Sequence, residues 1–196
     1  MAKFIESIKK GFGRGKQLKA SLDSLAEKYK GEVKIPKFLG LQTYRFLRIR
    51  VPNGEANLRV TPGGDKTPPV TQIEIKHDIS TKIKFSIFTE NIFTRIAAKL
   101  GMQDIKIDNS EFDKKFMLKS NDIYFLKEFM DKEVQQCVID INELIGGYRS
   151  QRGLSISLKK NKLIIKKTAY ITEEDKLDIF INRCLKVYGK LILKLK

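Results

Sequence analysis

The chain has 196 residues, 41% of them hydrophobic, a mean hydropathy of −0.31 and a formal net charge of +16, so it can bury about 70% of its unfolded surface without staples, as one large domain or two small lobes. No apolar run approaches the ~18–20 residues that cross a membrane, and the charges among residues 1–10 do not suit the apolar centre of a signal peptide. Two cysteines, Cys137 and Cys184, with no Cys-x-x-Cys pair, exclude a disulfide scaffold and a structural zinc site, and a reducing, cytoplasmic setting is the expectation.

Residues 2–10 read as a short amphipathic helix with Phe4, Ile5 and Ile8 on one side. Gly11, Gly13 and Gly15 follow, and glycine is costly inside a helix, so a break is expected there. A second helix over 16–29 puts Leu18, Leu22, Leu25 and Ala26 on one stripe, and Gly31 reads as its stop signal. Residues 1–30 are thus a pair of basic amphipathic helices. From 33 to 90 the pattern is β. Residues 44–51 alternate apolar with basic side chains, Pro52-Asn53-Gly54 is a turn, and 56–61 resumes as a strand. After a loop over 61–69, residues 70–76 and 82–89 alternate again, and four strands at this spacing predict a meander. Thr89 can cap a helix over 91–100 that Gly101 stops. Residues 31–102 are therefore expected as an antiparallel β-meander plus a short helix.

The segment 103–196 follows a different order. A strand over 115–119 leads to helices over 122–130 and 132–144, ended by Gly146-Gly147-Tyr148. Residues 154–158 and 163–167 form a hairpin around Lys160-Asn161, where Asn tolerates a left-handed conformation. Thr172-Glu173-Glu174-Asp175 resembles a capping box that opens the last helix, which carries Leu177, Phe180, Ile181, Cys184, Tyr188 and Leu191 on one face. The expected fold class is α+β: an antiparallel meander, then strand–helix–helix–hairpin–helix. Residues 103–196 either stand apart or form one domain with 31–102.

No constellation of side chains carries an enzymatic reaction, and no cofactor is implied. His77 is the only histidine, at the end of a predicted strand beside Asp78, and reads as a surface or turn residue. Cys137 and Cys184 each lie in an apolar helical stripe and read as small core hydrophobes. Gly11-Phe12-Gly13-Arg14-Gly15-Lys16 fails the spacing of a phosphate-binding loop, because Lys10 stands at the first glycine position and Gln17 at the hydroxyl position. The carboxylates Asp104, Asp108, Glu111 and Asp113 lack the order of a calcium loop; an enzyme or metal site built on 108–113 is the third reading of the chain.

Charge is better informed. Residues 1–50 carry 13 Lys/Arg against 4 Asp/Glu and residues 151–196 carry 12 against 4, whereas 101–150 carry 7 against 10. If the two ends meet in space they form one basic face, suited to anionic lipid, an acidic protein or nucleic-acid phosphate. The compositional reading, a lysine coat that keeps the protein soluble, stands beside it. The first function reading is a non-enzymatic binding or accessory protein on an anionic surface, either a membrane or a protein partner, through Lys9, Lys10, Arg14 and Lys16 with Lys190 and Lys194 of the last helix. The alternative is nucleic-acid binding through Arg45, Arg48 and Arg50 beside Tyr44 and Phe46, with Lys159, Lys160 and Lys162 of the hairpin. Strand alternation argues against that stacking face by turning the aromatics inward.

The run Ser110-Glu111-Phe112-Asp113-Lys114-Lys115-Phe116-Met117-Leu118, then Ser120-Asn121-Asp122, a helix pair and the Leu-Ser-Ile-Ser-Leu strand, resembles a loose group of uncharacterised bacterial proteins. In that group a Phe-Asp-x-x-Phe element precedes a strand, an acidic turn and two helices; the resemblance covers about residues 105–170. It implies a domain of unknown function with an α+β fold and assigns no catalytic residue. Some members carry membrane-spanning helices that this chain lacks. Phe112 and Phe116 read as core anchors and Asp113 as a turn or capping residue.

Overall fold

Period-2 alternation builds the centre of the molecule. The structure, a computed structural model, describes residues 2–35, 37–38, 41–42, 45–64, 67–89, 105–145 and 153–195, with the backbone alone for 2–12, 37–38 and 41–42. Eight strands form one antiparallel sheet: β1 (Glu32–Lys34), β4 (Phe46–Val51), β5 (Gly54–Thr61), β6 (Val70–His77), β7 (Phe85–Thr89), β8 (Phe116–Ser120), β9 (Leu154–Lys159) and β10 (Lys162–Lys167). A separate two-stranded ribbon pairs β2 (Lys37–Phe38) with β3 (Leu41–Gln42). The fold is α+β, with five helices among the described residues: α1 (Ala2–Lys28), α2 (Ser110–Lys115), α3 (Ile123–Phe129), α4 (Lys132–Glu143) and α5 (Glu174–Leu195).

The sheet order is β1-β4-β5-β6-β10-β9-β7-β8. The meander holds for β4, β5 and β6, but the fourth strand of the expected run, β7, does not join it. The C-terminal hairpin β9–β10 inserts between β6 and β7, so that β10 pairs with β6 and β9 with β7. Register carries one buried row across the seam: Leu58↔Ile73, Ile73↔Ile165, Ile165↔Ile156 and Ile156↔Ile87. The helices cover this face. α5 buries Leu177, Phe180, Ile181, Cys184, Val187, Tyr188, Leu191 and Ile192, α4 adds Val134, Cys137, Val138 and Ile141, and α1 adds Leu18, Leu22 and Leu25. Both cysteines are buried and unbonded to each other. The aromatic anchors read from sequence are in place, with Phe112 and Phe116 buried and their rings 4.5 Å apart.

Four local expectations are corrected. The break at Gly11–Gly15 is absent, and α1 runs unbroken from Ala2 to Lys28. Gly31 does not take the left-handed position at the end of α1. Lys30 does (φ 49°), while the Gly31 N–H closes the helix on Ala26 O at 2.8 Å. Glycine is required at 31 for another reason, since a Cβ there would stand 2.4 Å from Arg48 O. The hairpin turn likewise takes its positive φ at Lys160 (56°), not Asn161. In the supposed capping box, the Thr172 hydroxyl donates to Gln17 Oε1 of α1, and it is Glu173 that accepts the Thr172 N–H. The predicted helix over 91–100 and the Gly146–Tyr148 stop lie outside the described residues.

Two glycines give opposite expectations. Gly189 lies exposed inside α5, and a methyl group added there would have nothing within 4 Å, whereas a Cβ at Gly54 would meet Lys76 O at 2.2 Å. Gly189→Ala is expected to stabilise the fold by up to about 1 kcal/mol, which raises Tm by roughly 2–4 °C for a chain of this size. Gly54→Ala is expected to lower it. Thermal unfolding followed by circular dichroism checks both.

Candidate functional site

Basic residues of the chain meet two fates. On α5 they are paired. Arg183 Nε lies 2.6 Å from Asp140, Lys186 Nζ 2.6 Å from Glu133, and Lys190 Nζ 3.0 Å from Asp131 and 2.5 Å from Glu133; Lys194 pairs with Glu128. The two carboxylates raise the Lys190 ammonium, pushed up to about 12, and hydrogen bonds from Lys186 and Lys190 hold the Glu133 carboxyl below its usual range. The i, i+4 spacing of Lys186, Lys190 and Lys194 therefore serves the seam with α3 and α4.

The N-terminal cations lie elsewhere. α1 packs along the start of α5: Ser21 Oγ donates to Thr172 O at 2.8 Å, Ser24 Oγ to Glu174 at 2.7 Å, and Lys28 and Tyr29 both reach Asp178 at 2.7 Å. Burial and the Asp178 carboxylate raise the Tyr29 phenol, and hydrogen bonds from Lys28 and Tyr29 hold Asp178 low against the opposing effect of burial. Arg14 is half-buried, with its charge felt at the half-buried Tyr170 phenol, and Lys16 is exposed. Lys9 and Lys10 lie on the α1 backbone. From Glu174 to Lys190 the helix rises about 24 Å at 1.5 Å per residue. Because α1 and α5 advance in the same direction along their seam, the N-terminal quartet and the Lys190–Lys194 pair stand at opposite ends of α5. The quartet and this pair therefore do not form one basic face.

The strand arginines and hairpin lysines, by contrast, are brought together. Cross-strand register aligns Arg50↔Glu55↔Lys76↔Lys162↔Lys159 on the sheet face away from the helices. Strand spacing of 4.7–4.9 Å puts Lys159 about 19 Å from Arg50. One step along, Arg48 faces Asn57 and is paired with Glu32 (3.5 Å) and Glu55 (3.3 Å), while Lys162 is 3.0 Å from Glu74. Phe46, Arg48, Asn57, Arg59, Gln72 and Glu74 line a shallow depression in this face. Here alternation corrects the sequence reading: Phe46 shares the parity of Arg48 and Arg50, so its ring lies on the arginine side, 5.9 Å from the Arg48 guanidinium. Arg45 has the opposite parity and precedes β4, Lys160 sits in the turn, and Tyr44 lies outside the described residues. Lys76 escapes the sequence reading, although its parity with Gln72 and Glu74 marks the same face.

The carboxylates at 108–113 do not converge. Asp108 is exposed and pairs with Lys127 at 3.5 Å, Glu111 is exposed, and Asp113 accepts the Ile107 N–H at 3.2 Å from inside α2, where it is neither the turn nor the capping residue expected from sequence. The cap of α2 is Asn109, which accepts the Phe112 N–H. Asp104 lies outside the described residues. Among the described residues, no three His, Cys, Asp or Glu side chains group as metal ligands.

His77 is a further correction. It is fully buried on the helix side of β6, beside the Tyr188 ring at 6.3 Å, and neither ring nitrogen makes a hydrogen bond of normal geometry. The strand runs one residue further than expected, and its parity with Ile73 and Ile75 turns His77 inward. The Tyr188 hydroxyl, donating to Pro52 O at 2.7 Å, closes the core over it.

No protein-family model matches the chain, and no curated protein matches it in sequence. Its fold is similar to the crystal structure of the mycobacterial trehalose monomycolate transport factor A, TtfA, with a TM-score of 0.57 and 9% sequence identity over 94% of this chain and 97% of that one. At this identity the likeness establishes the α+β architecture.

Burial lowers the His77 pKa from its ordinary value near 6.5, with Ile79 and Asp78 opposing. Between the folded value and about 6.5 the unfolded chain binds a proton that the folded chain refuses, so stability is full above that window and falls as the pH drops through it. Urea unfolding is expected to show a lower midpoint at pH 5.5 than at pH 7.5, and His77→Phe is expected to flatten the difference. An undiminished loss in the variant would place the acid sensitivity in other groups.

Proposed function

We propose that the protein is a non-enzymatic accessory protein that docks on an anionic membrane surface through the N-terminal half of α1. The observation that carries this reading is the continuity of α1 through Gly11, Gly13 and Gly15. Leu18 is the first described side chain of α1 to be buried, and Gly13, Gly15 and Lys16 are exposed. Residues 2–16 make about 22 Å of helix ahead of it. On a helical wheel at 100° per residue the positions Phe4, Ile5, Ile8 and Phe12 fall within about a 100° arc, while Lys3, Lys9, Lys10, Arg14 and Lys16 are distributed around it. An apolar stripe rimmed by cations suits a helix lying in the headgroup boundary.

No helix among the described residues is long and apolar enough to cross a membrane, so the reading is of a peripheral contact. The name of the structurally similar protein, a transport factor, supports an accessory role over a catalytic one. Lys190 and Lys194, which the sequence reading joins to this surface, are left out of it because carboxylates of α3 and α4 already pair with them.

Co-sedimentation with vesicles of anionic phospholipid at about 0.15 M salt, where exposed charges are screened beyond roughly 8 Å, tests the reading. The full chain is expected to pellet with the vesicles and a chain lacking residues 1–15 to stay in the supernatant. Each cation near an anionic surface contributes about 1 kcal/mol, so reversing Lys9, Lys10, Arg14 and Lys16 to Glu is expected to cut partitioning at least about 100-fold. Equal sedimentation of the full chain and the reversed variant would remove the membrane reading.

A further inference from the structure

The sheet face opposite the helices carries a second binding surface, independent of α1. Its cations come from distant parts of the sequence, and only the strand register unites them: Arg50 on β4, Lys76 on β6, Lys162 on β10 and Lys159 on β9 stand in one row. All four are exposed, and Arg50, Lys76 and Lys159 have no ion-pair partner among the described residues. The single acid within the row is Glu55, which is held by Arg48 and Asn57. A row of this length, about 19 Å across five strands, matches a few consecutive phosphates of an extended strand.

We infer that this face binds the phosphodiester backbone of single-stranded nucleic acid, with Arg50, Lys76, Lys162 and Lys159 on the phosphates and Phe46 beside Arg48 as a stacking platform for a base. Single-strand binders combine a basic track with aromatic faces because phosphates supply charge and every base supplies a π-face. Both parts are present on one side here, with the row of Arg48, Asn57 and Glu74 between them. The face is open and only shallowly hollowed, which accommodates an unpaired strand laid across the sheet. A bilayer is less well matched, since this face lacks the apolar wedge that α1 offers. An acidic polypeptide would meet the cations but has no use for Phe46.

The test is fluorescence anisotropy of a labelled 12-nucleotide oligo(dT) with the full chain, titrated from 50 to 200 mM salt. Binding is expected to weaken linearly in log–log form. The triple variant Lys76→Glu, Lys159→Glu, Lys162→Glu is expected to lose at least about tenfold in affinity and about 2 in the slope, at roughly 0.7 per phosphate contact on single strands. Phe46→Ala is expected to weaken binding with the slope unchanged. A charge-matched control on the other side of the molecule, Lys114→Glu, Lys115→Glu, Lys132→Glu, is expected to retain affinity. If the triple Glu variant fails to fold, the Lys→Gln triple variant gives the same readout.

No binding at 50 mM salt overturns the inference, as does an equal loss in the charge-matched control. Tighter binding of labelled oligoglutamate, insensitive to Phe46→Ala, also overturns it, in favour of an acidic polypeptide. Removal of residues 1–15 is expected to leave oligo(dT) affinity within about threefold, since about 4 of the basic residues leave with it but none from the row. The triple variant is expected to retain vesicle sedimentation, so the membrane reading and this one fail separately.

Discussion

Thr71 is fully buried and its hydroxyl is engaged twice, donating to Ala169 O at 2.9 Å and accepting the Ile171 N–H at 3.2 Å. It sits at the end of β6 opposite Lys167, the last residue of β10. The bond pair thus locks the β6–β10 seam and, in the same place, the turn that leaves the sheet for α5. The remainder of the architecture hangs on this junction. With β10 in register, β9 is placed against β7, and β7 against β8. With residues 168–172 fixed, α5 starts at the height where Thr172 can bond Ser21 and Gln17, and α1 is seated along it. A buried polar group left without partners costs about 1–3 kcal/mol, so the junction tolerates little alternative pairing.

The positive charge of the chain divides accordingly. Along α5 the cations close a seam, and each such exposed pair adds only ~0–1 kcal/mol, but together they orient α3 and α4 on the last helix. Two lysines are buried among the described residues, Lys119 and Lys167; Lys167, on the core face of β10, donates to Asn142 O at 2.6 Å in the last turn of α4. The negative end of the helix dipole favours a cation there. The open sheet face holds charge that faces outward, at Arg50, Lys76, Lys159 and Lys162. Net charge therefore says little about where this protein can attract an anion; the distribution of carboxylate partners decides it.

Much of the fold is legible from sequence because strands with one buried face write their own parity. Leu47 and Ile49, or Leu163 and Ile165, mark their strands unaided. Three kinds of feature are not legible. Sheet order depends on which strand meets which, and nothing local in residues 162–167 names β6 as the partner. Pairing of Lys190 with Asp131 joins residues 59 apart, so periodicity along α5 suggests a free basic stripe where a neutralised one exists. Intrinsic propensity predicts a break at the glycines of α1, yet the helix runs through them. His77 is hard to place because a charged neighbour, Asp78, suggests a turn, while parity with Ile75 points inward. Phe46 shows the same lesson in reverse: its parity with Arg48 is written in the sequence, yet its aromatic character suggests the core.

The inserted hairpin also has a consequence for how the protein is made. β6 emerges from the ribosome about 90 residues before β10, its central partner. At roughly 5–20 residues per second that interval lasts on the order of 5–20 s. During it, β4, β5 and β6 can pair among themselves, but the Ile73–Ile75 edge of β6 has no neighbour on its far side. Unpaired apolar edges recruit other strands, so the nascent chain passes through a stage in which its future centre is its most adhesive border. The sheet is completed only when the hairpin arrives, after which that border is interior.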